Sequence, residues 1–250
     1  MTACAVAVAR SLAFGSLDDG VWGAAWLPTG QEGSPMALGT SETTATLNVS
    51  LEGHDAGEEW RVAGPEAELT LTPTDEALER PDEPGVGGFD QLCQVTGRFA
   101  LEGREQPVSY LGWRSTVTDG SGLERAGSFR QVAAWFEPAA GLALVSLRPR
   151  SARGQDADTV SATLLDPESS GQVSDPRLST TYAGDGLPQL AGLELWVGDE
   201  EELYARRAAG EAVGHAARWP LGRLDLQARL FRWHFSGRNG AGVYLLGTVR

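Results

Sequence analysis

Apolar and polar positions along this chain alternate with a period of two far more often than with the 3.6 of a helix. Ala67, Leu69 and Leu71 share one face of AELTLT, and Glu68, Thr70 and Thr72 the other. The same alternation runs through Leu92 to Leu101, where Cys93, Val95, Gly97, Phe99 and Leu101 oppose Gln94, Thr96 and Arg98. In Pro107 to Arg114, Leu111 and Trp113 oppose Tyr110 and Arg114. Val21 to Leu27 (VWGAAWL) is apolar throughout, as a strand buried on both faces must be. The central stretch Leu123 to Arg150 predicts one long strand, a tight turn at Glu137-Pro138-Ala139-Ala140-Gly141, and a second strand from Leu142 to Leu147.

A second hairpin closes the chain, with Arg223 to Ser236 and Gly242 to Val249 joined through Asn239-Gly240. Its first strand changes faces. Leu224, Leu226, Ala228 and Leu230 lie on one side, then Phe231, Trp233 and Phe235 on the other. That requires a bulge, or a strand whose two ends face different environments. Pro73 to Gly88 reads as an exposed excursion. Asp199 to Ala209 carries helix signals, with acidic residues in a first turn, Arg206 and Arg207 later and a Gly stop; a strand there is equally compatible with the rest of the pattern.

Features recur in the same order in the two halves. Ala24-Ala25-Trp26 answers Ala133-Ala134-Trp135, and Ala37-Leu38 answers Ala143-Leu144. Glu68-Leu69 answers Glu194-Leu195, and Gly103-Arg104 before Tyr110-Leu111 answers Gly237-Arg238 before Tyr244-Leu245. The expectation is an all-β fold: two similar antiparallel meanders, residues 1–119 and 120–250, packed as a tandem barrel or sandwich with at most one short helix.

Two stretches carry a resemblance to a known group. Gly240-Ala241-Gly242-Val243-Tyr244-Leu245 keeps the glycines of a GxGxxE turn-and-strand motif, with Leu245 in place of Glu. Arg130-Gln131-Val132-Ala133-Ala134-Trp135 keeps the Arg and Trp of an RDHSWG-type motif but lacks its Asp and His. In this the chain resembles the tandem lipocalin-like proteins related to carotenoid hydratases and fungal Diels-Alderases. The resemblance implies a lipocalin-like fold. The apolar replacements argue against carrying over hydratase chemistry.

Composition narrows the chemistry. The formal charge of −14 opposes binding to nucleic acid. There is no lysine, hence no Schiff base and no lysine general base. Cys4 and Cys93 form no CxxC and read as buried thiols of a reducing compartment. No stretch approaches the roughly 18 apolar residues of a membrane helix. With no secretory pattern at Met1 to Arg10, a cytoplasmic protein without membrane insertion is expected. His54, His215 and His234 stand at no metal-ligand spacing, and neither a nucleophile elbow nor a nucleotide loop is present, so neither metal nor cofactor is expected.

What remains is a set of polar and aromatic groups on strands that otherwise look like core. One reading makes them a pocket for a hydrophobic small molecule, with Trp113, Trp135 and Trp233 as walls and Arg98, Tyr110, Arg114, Arg130, Arg232 and His234 as polar contacts. A second makes the protein a cofactor-independent cyclase, isomerase or hydratase of a polyene or polyketide, with Glu137 or His234 as acid or base. A third is a module with a packed, pocketless interior. Oligomeric state is not legible.

Overall fold

The computed structural model describes residues 9–29, 33–81, 85–153, 158–167, 170–198 and 203–250. Nine strands build the first sheet: β1 (Ala9–Ser16), β2 (Val21–Pro28), β3 (Ser34–Gly39), β4 (Thr44–Glu52), β5 (Trp60–Gly64), β6 (Ala67–Pro73), β7 (Leu78–Arg80), β8 (Gly88–Leu101) and β9 (Arg104–Val117). After the five-residue helix α1 (Ser121–Arg125), which takes in Leu123 of the strand expected there, nine more build the second. These are β10 (Ala126–Glu137), β11 (Ala140–Pro149), β12 (Thr159–Leu165), β13 (Gly171–Gln172), β14 (Asp175–Tyr182), β15 (Pro188–Gly198), β16 (Leu203–Leu221), β17 (Leu224–Phe235) and β18 (Arg238–Val249).

Every pairing is antiparallel. In the first sheet the order is β6-β5-β4-β3-β2-β1-β9-β8-β7, and β6 also pairs with β8, which closes an eight-stranded ring with β7 appended to β8. The second runs β13-β12-β11-β10-β18-β17-β16-β15-β14. There the long β16 pairs with β17 on both sides of a bulge between Val213 and Ala217, as β6 and β7 together pair with β8. β13 and β14 are successive stretches of one run of chain that passes from β12 to β15: Val173 N–H donates to the Ala162 carbonyl at 3.1 Å and Ser174 N–H to the Trp196 carbonyl at 3.0 Å, so this run bridges the second barrel. The fold is all-β, two similar lipocalin-like halves side by side.

Three apolar clusters explain the sequence pattern. One fills the first barrel, with Phe14, Met36, Trp60, Leu71 and Phe99 among its members. Another fills the second, with Leu144, Leu195, Phe231, Trp233, Phe235 and Tyr244. The third lies between the barrels and takes the outward residues of both. β2 therefore has no solvent face: Val21, Ala25 and Leu27 point into its barrel, and Trp22, Ala24 and Trp26 into the join. The change of faces along β17 has the same cause. Leu224 to Leu230 pack in the join, Phe231 to Phe235 in the barrel, and the ladder to β18 runs through without a shift.

The join is tightly built. Trp26 and Phe129 meet with ring centroids 4.8 Å apart, Gln131 Nε2 donates to Ser11 Oγ at 2.7 Å, and Trp135 Nε1 donates to the Gly15 carbonyl at 3.1 Å. A space of only about 10 Å³ remains beside Ser11, Trp113 and Gln131, barely the size of one water. Asp90 adds a buried polar link. It accepts from Arg80 Nη1 and Ser115 Oγ, both at 2.6 Å, and from Thr163 Oγ1 of the other half at 3.0 Å.

Four expectations need correction. The segment from Pro73 to Gly88 is not simply an exposed excursion: it supplies β7 and buries Arg80 and Val86, its residues 82–84 lying outside the described part. From Leu203 onward the helix candidate is strand, because β15 bonds it along its length and β17 joins from Ala208; residues 199–202 lie outside the description. The last turn is Ser236-Gly237, not Asn239-Gly240, with φ of 49° and 78°. Asn239 and Gly240 already pair with His234 and Trp233. Gly240 is needed for close approach, since a Cβ there would come within 2.3 Å of the Trp135 carbonyl oxygen. Finally, three of the four repeat matches slip by one strand. β10 pairs with β11 and β18 as β1 pairs with β2 and β9, so Trp26 on β2 and Trp135 on β10 are not equivalent. Only the last match is in register, and its turns agree: Glu102-Gly103 has φ of 51° and 75°.

Candidate functional site

The nine residues singled out in the sequence divide among four surroundings. Arg98 and Arg232 are exposed on outer faces, Arg98 lying 3.3 Å from Glu105 and 3.8 Å from Glu68. Trp113 and Trp135 belong to the join. Tyr110 and Arg114 belong to the first barrel, and Arg130 and Trp233 to the second. His234 is exposed, with Nδ1 3.1 Å from Asn239 Oδ1, at the rim of an outer trough of about 620 Å³. Arg177, Glu194 and Arg207 wall that trough and Gly192 and Ala209 floor it. Glu137 sits at a mouth of the second barrel, 3.5 Å from Arg238.

In the first barrel the polar groups are consumed by the fold. Arg114 is wholly buried, and its guanidinium lies over the Trp60 ring at 4.9 Å. It donates to Gln91 Oε1 at 2.9 and 2.5 Å, to the Glu58 carbonyl at 2.6 Å and to the Ala56 carbonyl. Burial lowers its pKa from the ordinary arginine value. Arg10 Nη1 pins the Gly53 carbonyl beside it at 2.5 Å. These bonds tie residues 53–58 across one end of the barrel. Tyr110, near the other end, has its pKa raised by partial burial and by the carboxylate of Asp19.

The second barrel differs. Its lumen row runs Arg130, Val132 and Ala134 on β10, Ser146, Leu144 and Leu142 on β11, and Leu246, Tyr244 and Gly242 on β18, by the register of these strands. Phe231 joins Trp233 at 5.8 Å and Tyr244 at 5.4 Å, an apolar wall of three rings. Trp233 lies against Gly210 and Gly242; a Cβ at Gly242 would fall 2.8 Å from Trp233 Nε1. Two buried polar atoms in this barrel, Trp233 Nε1 and Gln227 Oε1, have no hydrogen-bond partner. Gln227 is the register partner of Leu246, which puts it on the lumen side. Tyr244 Oη shares a hydrogen bond of 2.8 Å with Thr180 Oγ1. Burial, with Tyr182 adding to it, raises the Tyr244 pKa well above the ordinary phenol value, so the hydroxyl keeps its proton.

Charged groups stand at both ends of this lumen. At one, Arg130 bonds Ser146 Oγ at 2.7 Å and also Asp158, which Arg148 meets at 2.8 Å. At the other, the buried Asp166 carboxylate takes Arg206 at 3.1 Å and Arg238 at 3.0 Å. No group of three or more His, Cys, Asp or Glu that could hold a metal occurs among the described residues. No helix there is long and apolar enough to cross a membrane.

Sequence reasoning reached Arg130 and Trp233 but missed Tyr244, Thr180, Gln227 and Asp166. Tyr244 did stand in the one repeat match that is in register. Nothing in the sequence linked it to Thr180, 64 positions away.

No family model matches the chain, and no curated protein matches it in sequence. Solved structures do match. An AttH-type protein from Nitrosomonas europaea superimposes with a TM-score of 0.65 at 11% identity, covering 97% of this chain and 93% of its own. CghA superimposes with a TM-score of 0.61 at 14% identity, covering 97% of this chain and 88% of its own. The chain shares their fold. At these identities the likeness is one of architecture, and it spans both barrels.

Proposed function

We propose that this protein holds a hydrophobic small molecule in the lumen of its second barrel, and that residues 1–119 and 120–250 are the two halves of a tandem protein of the carotenoid hydratase and Diels-Alderase group. The observation that carries the reading is the pair of orphaned atoms, Trp233 Nε1 and Gln227 Oε1, on the lumen side of the second barrel. A buried polar atom without a partner costs about 1–3 kcal/mol, which a ligand's hydroxyl or carbonyl recovers. Apolar walls with a few convergent polar groups are the usual make-up of a small-molecule site. In the first barrel, by contrast, Arg114 already spends its donors on the loop below it.

A second reading keeps the same site and adds chemistry. A phenol held protonated at Tyr244, with Arg130 acting on it electrostatically, is a donor suited to polarising a substrate carbonyl, as a cofactor-independent cyclase or isomerase needs. Titration with Nile red, a neutral hydrophobic dye, tests the location. Trp233→Leu weakens binding, while Ala209→Arg, on the floor of the outer trough, leaves it unchanged. The reverse pattern moves the site to the trough. Absence of any binding, with no co-purified ligand in native mass spectrometry, ends the pocket reading. Turnover of a polyene or polyketide that is lost in Tyr244→Phe with binding retained selects the enzyme.

A further inference from the structure

Trp233 lies flat against the wall of the second barrel. Its six-membered ring rests on Gly210 of β16, where a Cβ would fall 2.8 Å from Cζ3, and its Nε1 edge reaches over Gly242 of β18, where a Cβ would fall 2.8 Å from Nε1. Gly242 is the register partner of Phe231, so Nε1 stands level with Phe231 and not with its own Cα. Gln227 faces the same lumen four residues before Phe231, beside Leu246 and in the cross-strand row of Arg130. At about 3.3 Å per residue the two levels are about 13 Å apart along the strand. Gln227 is half-buried towards the Arg130 mouth, and Trp233 is fully buried within.

The two orphaned atoms are orphaned in opposite senses. An indole N–H can only donate a hydrogen bond, and an amide oxygen can only accept one. Their separation keeps them from serving each other, and no single group of a ligand can serve both. Tyr244, level with Arg229 between them, is held by Thr180 Oγ1 at 2.8 Å, and Val132, Leu144 and Phe231 line the rest of the path. A charged group carried as far as Trp233 would lose its hydration among these side chains, a cost that a neutral carbonyl or ether oxygen largely escapes.

From this we infer that the ligand is an elongated, uncharged molecule with a hydrogen-bond acceptor at its inner end, for Trp233 Nε1, and a hydroxyl or other donor about 13 Å away, for Gln227 Oε1. The inference rests on the lumen reading above and specifies the ligand's polarity. The test measures displacement of Nile red by methyl 10-hydroxydecanoate, which carries both groups, by methyl decanoate, which lacks the hydroxyl, and by 1-decanol, which lacks the carbonyl. Wild type prefers the hydroxy ester to each of the others by about fivefold or more, the value of one recovered buried hydrogen bond. Gln227→Met removes the preference over methyl decanoate and keeps that over decanol; Trp233→Phe does the opposite. If Trp233→Phe does not fold, the Gln227→Met comparison decides alone. Equal displacement by all three in wild type, or preferences that neither variant moves, overturns the polarity assignment and leaves the lumen reading standing. Failure of all three to displace bound dye overturns it as well, whereas failure of the dye itself to bind overturns the lumen reading.

Discussion

Replacing Arg114 by Met removes a cation that the first barrel is built around. Four hydrogen bonds disappear: two to Gln91, one each to the carbonyls of Glu58 and Ala56. At about 1.5–3 kcal/mol for each bond to a charged group, the gross loss is about 6–12 kcal/mol. Against this, the variant no longer desolvates a guanidinium, a relief of several kcal/mol, and the half-exposed loop carbonyls regain water. The net is about 3–5 kcal/mol, the usual range for breaking a buried charged network. For a chain of this size about 1 kcal/mol moves the melting temperature by about 2–4 °C, so Arg114→Met melts about 6–20 °C lower. Urea denaturation followed by tryptophan emission measures it, and Trp60, stacked on the guanidinium, reports the local change. Limited proteolysis should show residues 53–58 cut first. A destabilisation below about 1 kcal/mol, with the loop still protected, would refute the view that Arg114 closes this barrel.

Other consequences are as concrete. Burial raises the Cys93 pKa to about 12, so the native thiol resists alkylation at pH 8 and reacts only on unfolding, which peptide mapping after iodoacetamide will show. Because Cys93, Tyr110 and Tyr244 are all raised above their unfolded values, the stability they contribute is complete below pH 9 and falls as the pH rises past 9 to 10, where the unfolded chain ionises first; Cys93→Ala flattens the first part of that slope. Gly242→Ala places a methyl 2.4 Å from the Ala133 carbonyl oxygen and 2.7 Å from the Trp233 ring, and calorimetry should register a loss of about 1–3 kcal/mol. Ser236→Asn, which suits the positive φ of 49° better, raises stability by about 0.5–1 kcal/mol in the same measurement.

The strands were legible because burial acts on each residue separately. VWGAAWL could only be a strand covered on both sides, and β2 proves covered by its own lumen and by the second barrel. The reversal of faces in β17 likewise announced a strand that leaves one environment for another. What stayed hidden depends on partners far apart in the chain. Gly240 looks like a turn glycine until the Trp135 backbone is seen lying against it. The Ala-Ala-Trp matches misled because strands facing the same join select the same small and aromatic residues whatever their place in the repeat. The arginines were the hardest to sort. Arg98, Arg114 and Arg130 all alternate with aromatics, yet one is exposed, one ties down a loop and one faces the second lumen. Their charge is identical; only the neighbours supplied by other strands separate them.

The central claim is that the second lumen is the binding compartment, and a crystal structure grown with Nile red tests it most directly. The account predicts electron density for the dye beside Phe231 and Trp233, within reach of Trp233 Nε1 and Gln227 Oε1. Density in the outer trough beside His234 instead, or an unchanged lumen at saturating ligand, would contradict it.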